Sequence, residues 1–192
     1  MPAQHSPSAP PTGPDAPTTV LALSGNPRPG SRTLAAAQTV ARRVADAIGA
    51  SGTSTVDLAT FAGEIFAPLH PHTDAAREQV AAADVVVVAT PVYKASYTGL
   101  LKAFLDQYGP DGLAGVVTVP LVVSGDPAHA LAGEVHLRPV LVELGAVVPT
   151  RTLSVPEARL VDLDPVVDEW LARSADALRR AVDVGAFAGL AR

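Results

Sequence analysis

Residues 85–88 are four consecutive valines, followed by Ala89 and Thr90. A strand with one wet face alternates apolar and polar residues, so an unbroken apolar run reads as a strand covered on both faces, at the centre of a parallel sheet. Parallel neighbours are joined by long crossovers, usually helices, so this run commits the chain to one sheet with helices packed on both sides. Runs at 20–24, 55–58, 116–124 and 147–155 read as the remaining strands beside 84–90. Between the first two, Leu34, Ala37, Val40, Ala41, Val44 and Ile48 recur at helical spacing, and Gly49 is placed to end that helix. Similar stripes cross 75–83, 99–108 and 165–184.

Composition narrows the function. Only 4% of residues are aromatic against 48% hydrophobic, so the core is built from Ala, Val and Leu, which lets helices approach a Val-rich sheet closely. With no cysteine there is no disulfide, thiolate nucleophile or Cys-ligated metal, and redox chemistry needs a borrowed cofactor. A net charge of −5 provides no basic stripe for nucleic acid or anionic lipid. No membrane span or targeting segment is legible, and the expected address is the cytoplasm. Residues 1–18 carry six prolines among Ser, Thr, Gly and Ala and read as a disordered tail; 19–192 read as one domain. His70 and His72 have neither helical ligand spacing nor a carboxylate companion and read as a loop, not a metal site, while Trp170 reads as a core anchor.

Open parallel sheets bind ligands beyond the carboxyl ends of their strands, where the strand order reverses. Three strand ends here carry chemistry-bearing loops. The first, Ser24-Gly25-Asn26-Pro27-Arg28-Pro29-Gly30-Ser31-Arg32-Thr33, runs into the helix that begins near Leu34. A helix start offers free backbone N–H groups and a positive dipole end; Asn26, Ser31 and Thr33 add neutral donors, and Arg28 and Arg32 add charge, the set a phosphate dianion needs. The same stretch reads equally well as a turn with an N-cap. It lacks the Gly-Lys-Ser/Thr of a Walker loop and the three-glycine dinucleotide fingerprint, which disfavours ATP and tightly held NAD. The second loop is 90–99 and the third 124–129. In a flavodoxin-type strand order of 2-1-3-4-5 the first, third and fourth strands are adjacent, and the three loops line one cleft.

Taken together, SGNPRPGSRT, ATPVYKASYTGLLKAFLD and VVSGDPAHALA resemble the NADPH-dependent FMN reductase family, most closely the flavin reductases of two-component alkanesulfonate monooxygenase systems. The resemblance implies a flavodoxin-like three-layer α/β/α fold. It places the FMN phosphate on Asn26, Arg28, Ser31, Arg32 and Thr33, the ring and ribityl groups over Pro91, Val92, Tyr93 and Lys94, and the ring's polar edge at Ser124, Gly125 and Asp126. Tyr97 and His129 are expected to serve packing or a subunit interface.

The implied reaction moves a hydride from NADPH, with NADH as the alternative donor, to FMN, and passes reduced flavin to a monooxygenase. Such a transfer needs two rings stacked about 3 to 3.5 Å apart and no acid/base residue, so no catalytic side chain is assigned. Backbone amides near Ser124 and Gly125, or the charge of Lys94, would face the negative charge that develops on the flavin. The family also implies a homodimer or homotetramer. The other readings on the same scaffold are a flavin-retaining quinone, azo-dye or metal-oxyanion reductase and a non-enzymatic electron carrier. In the alkanesulfonate-type reductases the helix after the fourth strand carries an inserted residue, often tyrosine, forming a π-turn; the corresponding stretch here is 133–139, with Val135 or His136 in the tyrosine's place. Pro139 predicts a disturbed helix there in any case.

Overall fold

The computed structural model describes residues 18–189, so the expected tail lies outside the described residues apart from Thr18. Five parallel strands, β1 (Thr19–Ser24), β2 (Gly52–Asp57), β3 (Val85–Pro91), β4 (Val117–Ser124) and β5 (Leu153–Pro156), form one sheet in the order β2-β1-β3-β4-β5. This is the flavodoxin-like order expected from the sequence. All residues of β3 and β4 are buried, as the valine run requires.

Alternate residues of each strand feed opposite faces. Val20, Ala22, Val85, Val87, Val119 and Leu121 pack under α1 (Arg32–Ile48) and α5 (Asp164–Gly189), with Trp170 and Leu178 anchoring the latter. Leu21, Leu23, Val86 and Val88 pack under α2 (Pro71–Ala81), α3 (Gly99–Leu105) and α4 (Arg138–Glu143). Helix α1 ends at Gly49, which takes the left-handed conformation with φ 74°. On its sheet side it presents Ala36, Ala37, Ala41 and Ala45 with Val40 and Val44, small residues that bring helix and sheet close. Fully burying one valine side chain contributes about 1.5 kcal/mol or more, so a core poor in aromatics is compensated by the number of its aliphatic residues.

Three sequence expectations need correction. Strand β2 begins at Gly52 and ends at Asp57, with Leu58 already in a 3₁₀ turn. Its exposed polar residues mark an edge strand, which apolar patterning detects late. Helix α2 starts at Pro71, so His70 is its N-cap residue and His72 sits in its first turn, paired with Glu64 at 3.0 Å, and not in a loop.

The fifth strand is the third correction. Val147 bridges to Val117 and Leu153 pairs with Leu121, so six residues on one side span four on the other and the chain bulges between them. The bulge is held by side chains. Arg138 donates to the carbonyls of Val148 (2.9 Å) and Thr150, Trp170 Nε1 donates to that of Arg151 (3.0 Å), and Glu134 accepts from the N–H of Thr152 (2.5 Å). Pro120 belongs to the same feature. Thr118 donates its N–H to Val147, so two residues on Pro120 turns its nitrogen towards the bulge, where the ladder requires no donor.

Glu134 lies in a π-helical turn, Gly133–Leu137, that leads directly into α4, and its Oε2 pairs with Arg138 at 2.6 Å. Burial works against the Glu134 charge, but the Arg138 guanidinium and the Thr152 N–H hold its carboxyl below the usual range. Pro139 follows at the second position of α4, and the disturbed helix expected beside it is the π-helical turn immediately before it.

Candidate functional site

Strand register sets the site. Ser24 pairs with Ala89, and Pro91 with Val123, so the loops after β1, β3 and β4 leave the sheet side by side. Backbone hydrogen bonds join them: Gly25 N–H donates to Ala89 (2.8 Å) and Val92 N–H to Val123 (2.8 Å). The buried Thr98 hydroxyl donates to the Gly25 carbonyl (2.5 Å) and accepts the Leu101 N–H (3.1 Å), capping α3. No side chain fits at Gly25, since a β-carbon there would lie 2.6 Å from Leu101 Cβ. The first loop is thus seated directly on α3.

Within that loop the buried Asn26 is a structural member. Its Oδ1 accepts the Arg28 N–H (3.0 Å) and its Nδ2 donates to Thr33 Oγ1 (3.0 Å), folding the loop over the first turn of α1. Ser31 Oγ caps α1 by accepting the Leu34 N–H (3.2 Å). The hydroxyl hydrogens of Ser31 and Thr33 remain available as donors. Gly30, at φ +62°, turns the chain into the helix and donates its N–H to Asp57 Oδ2 (3.2 Å). The backbone N–H groups of Ser31, Arg32 and Thr33 have no acceptor among the described residues, and the exposed Arg28 side chain has no partner among them. Three unpaired N–H groups at the start of a long helix, beside a free guanidinium, fit a phosphate group. Arg32 is differently placed: its guanidinium is paired with Glu157.

The second loop closes on itself. Tyr93 and Ser96 exchange hydrogen bonds (2.8 and 3.1 Å) around Lys94 and Ala95, both of which have positive φ, 52° and 64°. This is a type I′ turn, which normally takes Asn-Gly. A residue with a β-carbon in the left-handed region costs roughly 1 kcal/mol or more. Strain of this kind collects where a chain presents groups to a ligand, and here it presents Tyr93 and Lys94, both exposed. Pro91 is buried and Val92 half-buried beneath them. Tyr97 packs against the α3 side of the core, and burial pushes its phenol up.

The third loop starts at the buried Ser124 and continues through the exposed Gly125 and Asp126. The Asp126 carboxylate accepts the Ala128 N–H (2.8 Å) and caps a short 3₁₀ turn, Pro127–His129, which His129 closes. A β-carbon at Gly125 would lie 3.4 Å from Glu157 Oε2.

The structure therefore gathers all twelve expected residues at one end of the sheet. It also adds four that sequence reasoning passed over: Gly25, Asp57, Thr98 and Glu157. A cap signal was available for Thr98, which immediately precedes a helical stripe. A groove of about 620 Å³ between Phe66, His70, Arg77 and α3 shares only Gly99 with the three loops. No group of acidic residues and histidines that could hold a metal is present among the described residues, and no helix there is long and apolar enough to cross a membrane.

Residues 18–159 match the model of the family described as NADPH-dependent FMN reductase. An FMN reductase (NADPH) of Escherichia coli (strain K12) is 49% identical over 69 residues, 36% of each chain, and one of Pseudomonas putida (strain KT2440) is 43% identical over 76 residues. The aligned stretches thus span only 36% and 39% of those relatives' lengths. The NADH-dependent FMN reductase SfnE of Pseudomonas putida is 31% identical over 76% of this chain and 81% of its own. Among solved structures, an NADH:FMN oxidoreductase (EMOB) in its apo form superimposes with a TM-score of 0.70 at 30% identity, covering 89% of both chains.

Proposed function

The chain belongs to the NADPH-dependent FMN reductase family, and from that premise we propose that it is an NAD(P)H-dependent FMN reductase that passes reduced flavin to a separate monooxygenase. The observation that carries this reading is the set of unpaired N–H groups at Ser31, Arg32 and Thr33, one strand away from the strained turn that presents Tyr93 and Lys94.

FMN, when bound, supplies the hydride-accepting ring. The chain's own residues position it. The N–H groups of residues 31–33, the Ser31 and Thr33 hydroxyls and Arg28 hold the phosphate; Asn26 and Asp57 keep that loop in shape. Pro91, Val92 and Tyr93 would hold the ring, while Lys94 and the backbone around Ser124 and Gly125 would supply positive charge and donors to its polar edge. No side chain is required as a nucleophile or proton donor. Exposed Leu131, Val135 and Val142 around the π-turn support assembly into a homodimer or homotetramer.

The test is absorbance at 340 nm with purified protein, NADPH or NADH, and added FMN. FMN-dependent loss of the reduced nicotinamide supports the reading. No loss with either nicotinamide refutes it.

A further inference from the structure

The phosphate-binding loop is bracketed by two carboxylates of its own chain. At the end of β2, Asp57 accepts the N–H of Gly30 (3.2 Å). Across the site, Glu157 follows the last residue of β5 and Pro156 pairs with Ser124, which sets Glu157 beside the third loop. One of its oxygens takes the Arg32 guanidinium. The other lies 3.4 Å from where a β-carbon on Gly125 would stand. Glu157 is therefore paired with the first loop through Arg32 and stands beside Gly125 of the third. Side-chain exposures are 67% for Arg32 and 47% for Glu157, so the pair is modest in strength and screened by salt.

This placement opposes tight anion binding. A dianion entering the loop meets an arginine already neutralised by a carboxylate, and that carboxylate repels it.

On the reading proposed above, we propose that Glu157 is a specificity-determining residue of the flavin site: by occupying Arg32 and placing negative charge between the first and third loops, it weakens the hold on the flavin phosphate and keeps FMN an exchangeable substrate. The effect acts chiefly through the phosphate, so it is larger for phosphorylated flavin than for riboflavin.

The experiment is a fluorescence titration of the full chain with FMN and, separately, with riboflavin, for wild type, Glu157→Gln, Arg32→Ala and the double variant. Glu157→Gln is expected to bind FMN about twofold to fivefold more tightly at low salt, with the gain shrinking as salt is raised, and to shift riboflavin affinity less. In the Arg32→Ala background the same substitution is expected to gain less, since one of its two routes is gone. Unchanged or weaker FMN binding in Glu157→Gln, or an equal shift for riboflavin, overturns the proposal. Wild-type protein that binds neither flavin refutes the function on which the proposal rests, and the proposal with it.

Discussion

Replacing Gly25 with alanine tests the join between the first loop and the scaffold. The new methyl would lie 2.6 Å from Leu101 Cβ and 3.1 Å from its Cγ. Leu101 is fully buried and its β-carbon is fixed by α3, so no rotamer change relieves the contact and the loop must lift. Overpacking of this kind costs about 1–3 kcal/mol. Lifting the loop also strains the buried Thr98–Gly25 hydrogen bond, worth about 1 kcal/mol. The expected loss is about 2–4 kcal/mol, or roughly 5–15 °C in Tm for a domain of this size. Urea unfolding followed by circular dichroism reads the stability, and FMN titration reads the site. Affinity for FMN should fall at least about tenfold, since 1.4 kcal/mol of misplaced contacts suffices for that. Gly63→Ala is the control: nothing lies within 4 Å of a β-carbon there, and its stability should stay within about 0.5 kcal/mol of wild type. A Gly25→Ala protein as stable and as tight for FMN as that control would refute the seating of the loop on α3.

Other outcomes follow from the same geometry. Ala95→Gly relieves a positive φ in the type I′ turn and should stabilise the fold by up to about 1 kcal/mol, read by thermal melting. Arg28→Ala removes from the first loop a cation that has no partner among the described residues and should weaken FMN binding about threefold to tenfold while leaving riboflavin unaffected, by parallel titration. Glu134→Gln should destabilise by about 1–2 kcal/mol at pH 7, because the Arg138 pair and the Thr152 bond lose their charge. Folding lowers the Glu134 pKa below its ordinary 4.5, so the charge stabilises above that value and its contribution fades as pH falls through the folded pKa. The gap between wild type and Glu134→Gln in denaturant melts should therefore close in acid.

How far the sequence carries the fold depends on where each element finds its partners. The valine run of β3 and the stripe of α1 are satisfied by neighbours that their own patterns announce, and both appear where their residues place them. The fifth strand is not of that kind. Its 147–155 stretch carries Pro149 and Arg151 among its apolar residues, a local mark of interruption, while the side chains that hold the bulge, those of Arg138, Glu134 and Trp170, lie outside the stretch. The site shows the same division. Loop composition singled out Arg28, Ser31 and Thr33, but the roles of Asn26 as a brace and of Arg32 as half of an ion pair depend on contacts across the cleft. Asp57 and Glu157 escaped notice because an acidic residue at or just after a strand's end looks like any cap. Only the sheet order brings them to opposite sides of one loop.

Amide hydrogen exchange with and without FMN probes the central claim most directly, because it reports all three loops at once. FMN should slow exchange at Ser31, Arg32 and Thr33, in the turn around Lys94, and in the stretch after Ser124, with riboflavin protecting the last two but not the first. Protection confined to the groove beside Phe66 and α3, with the three loops unchanged, would contradict the account.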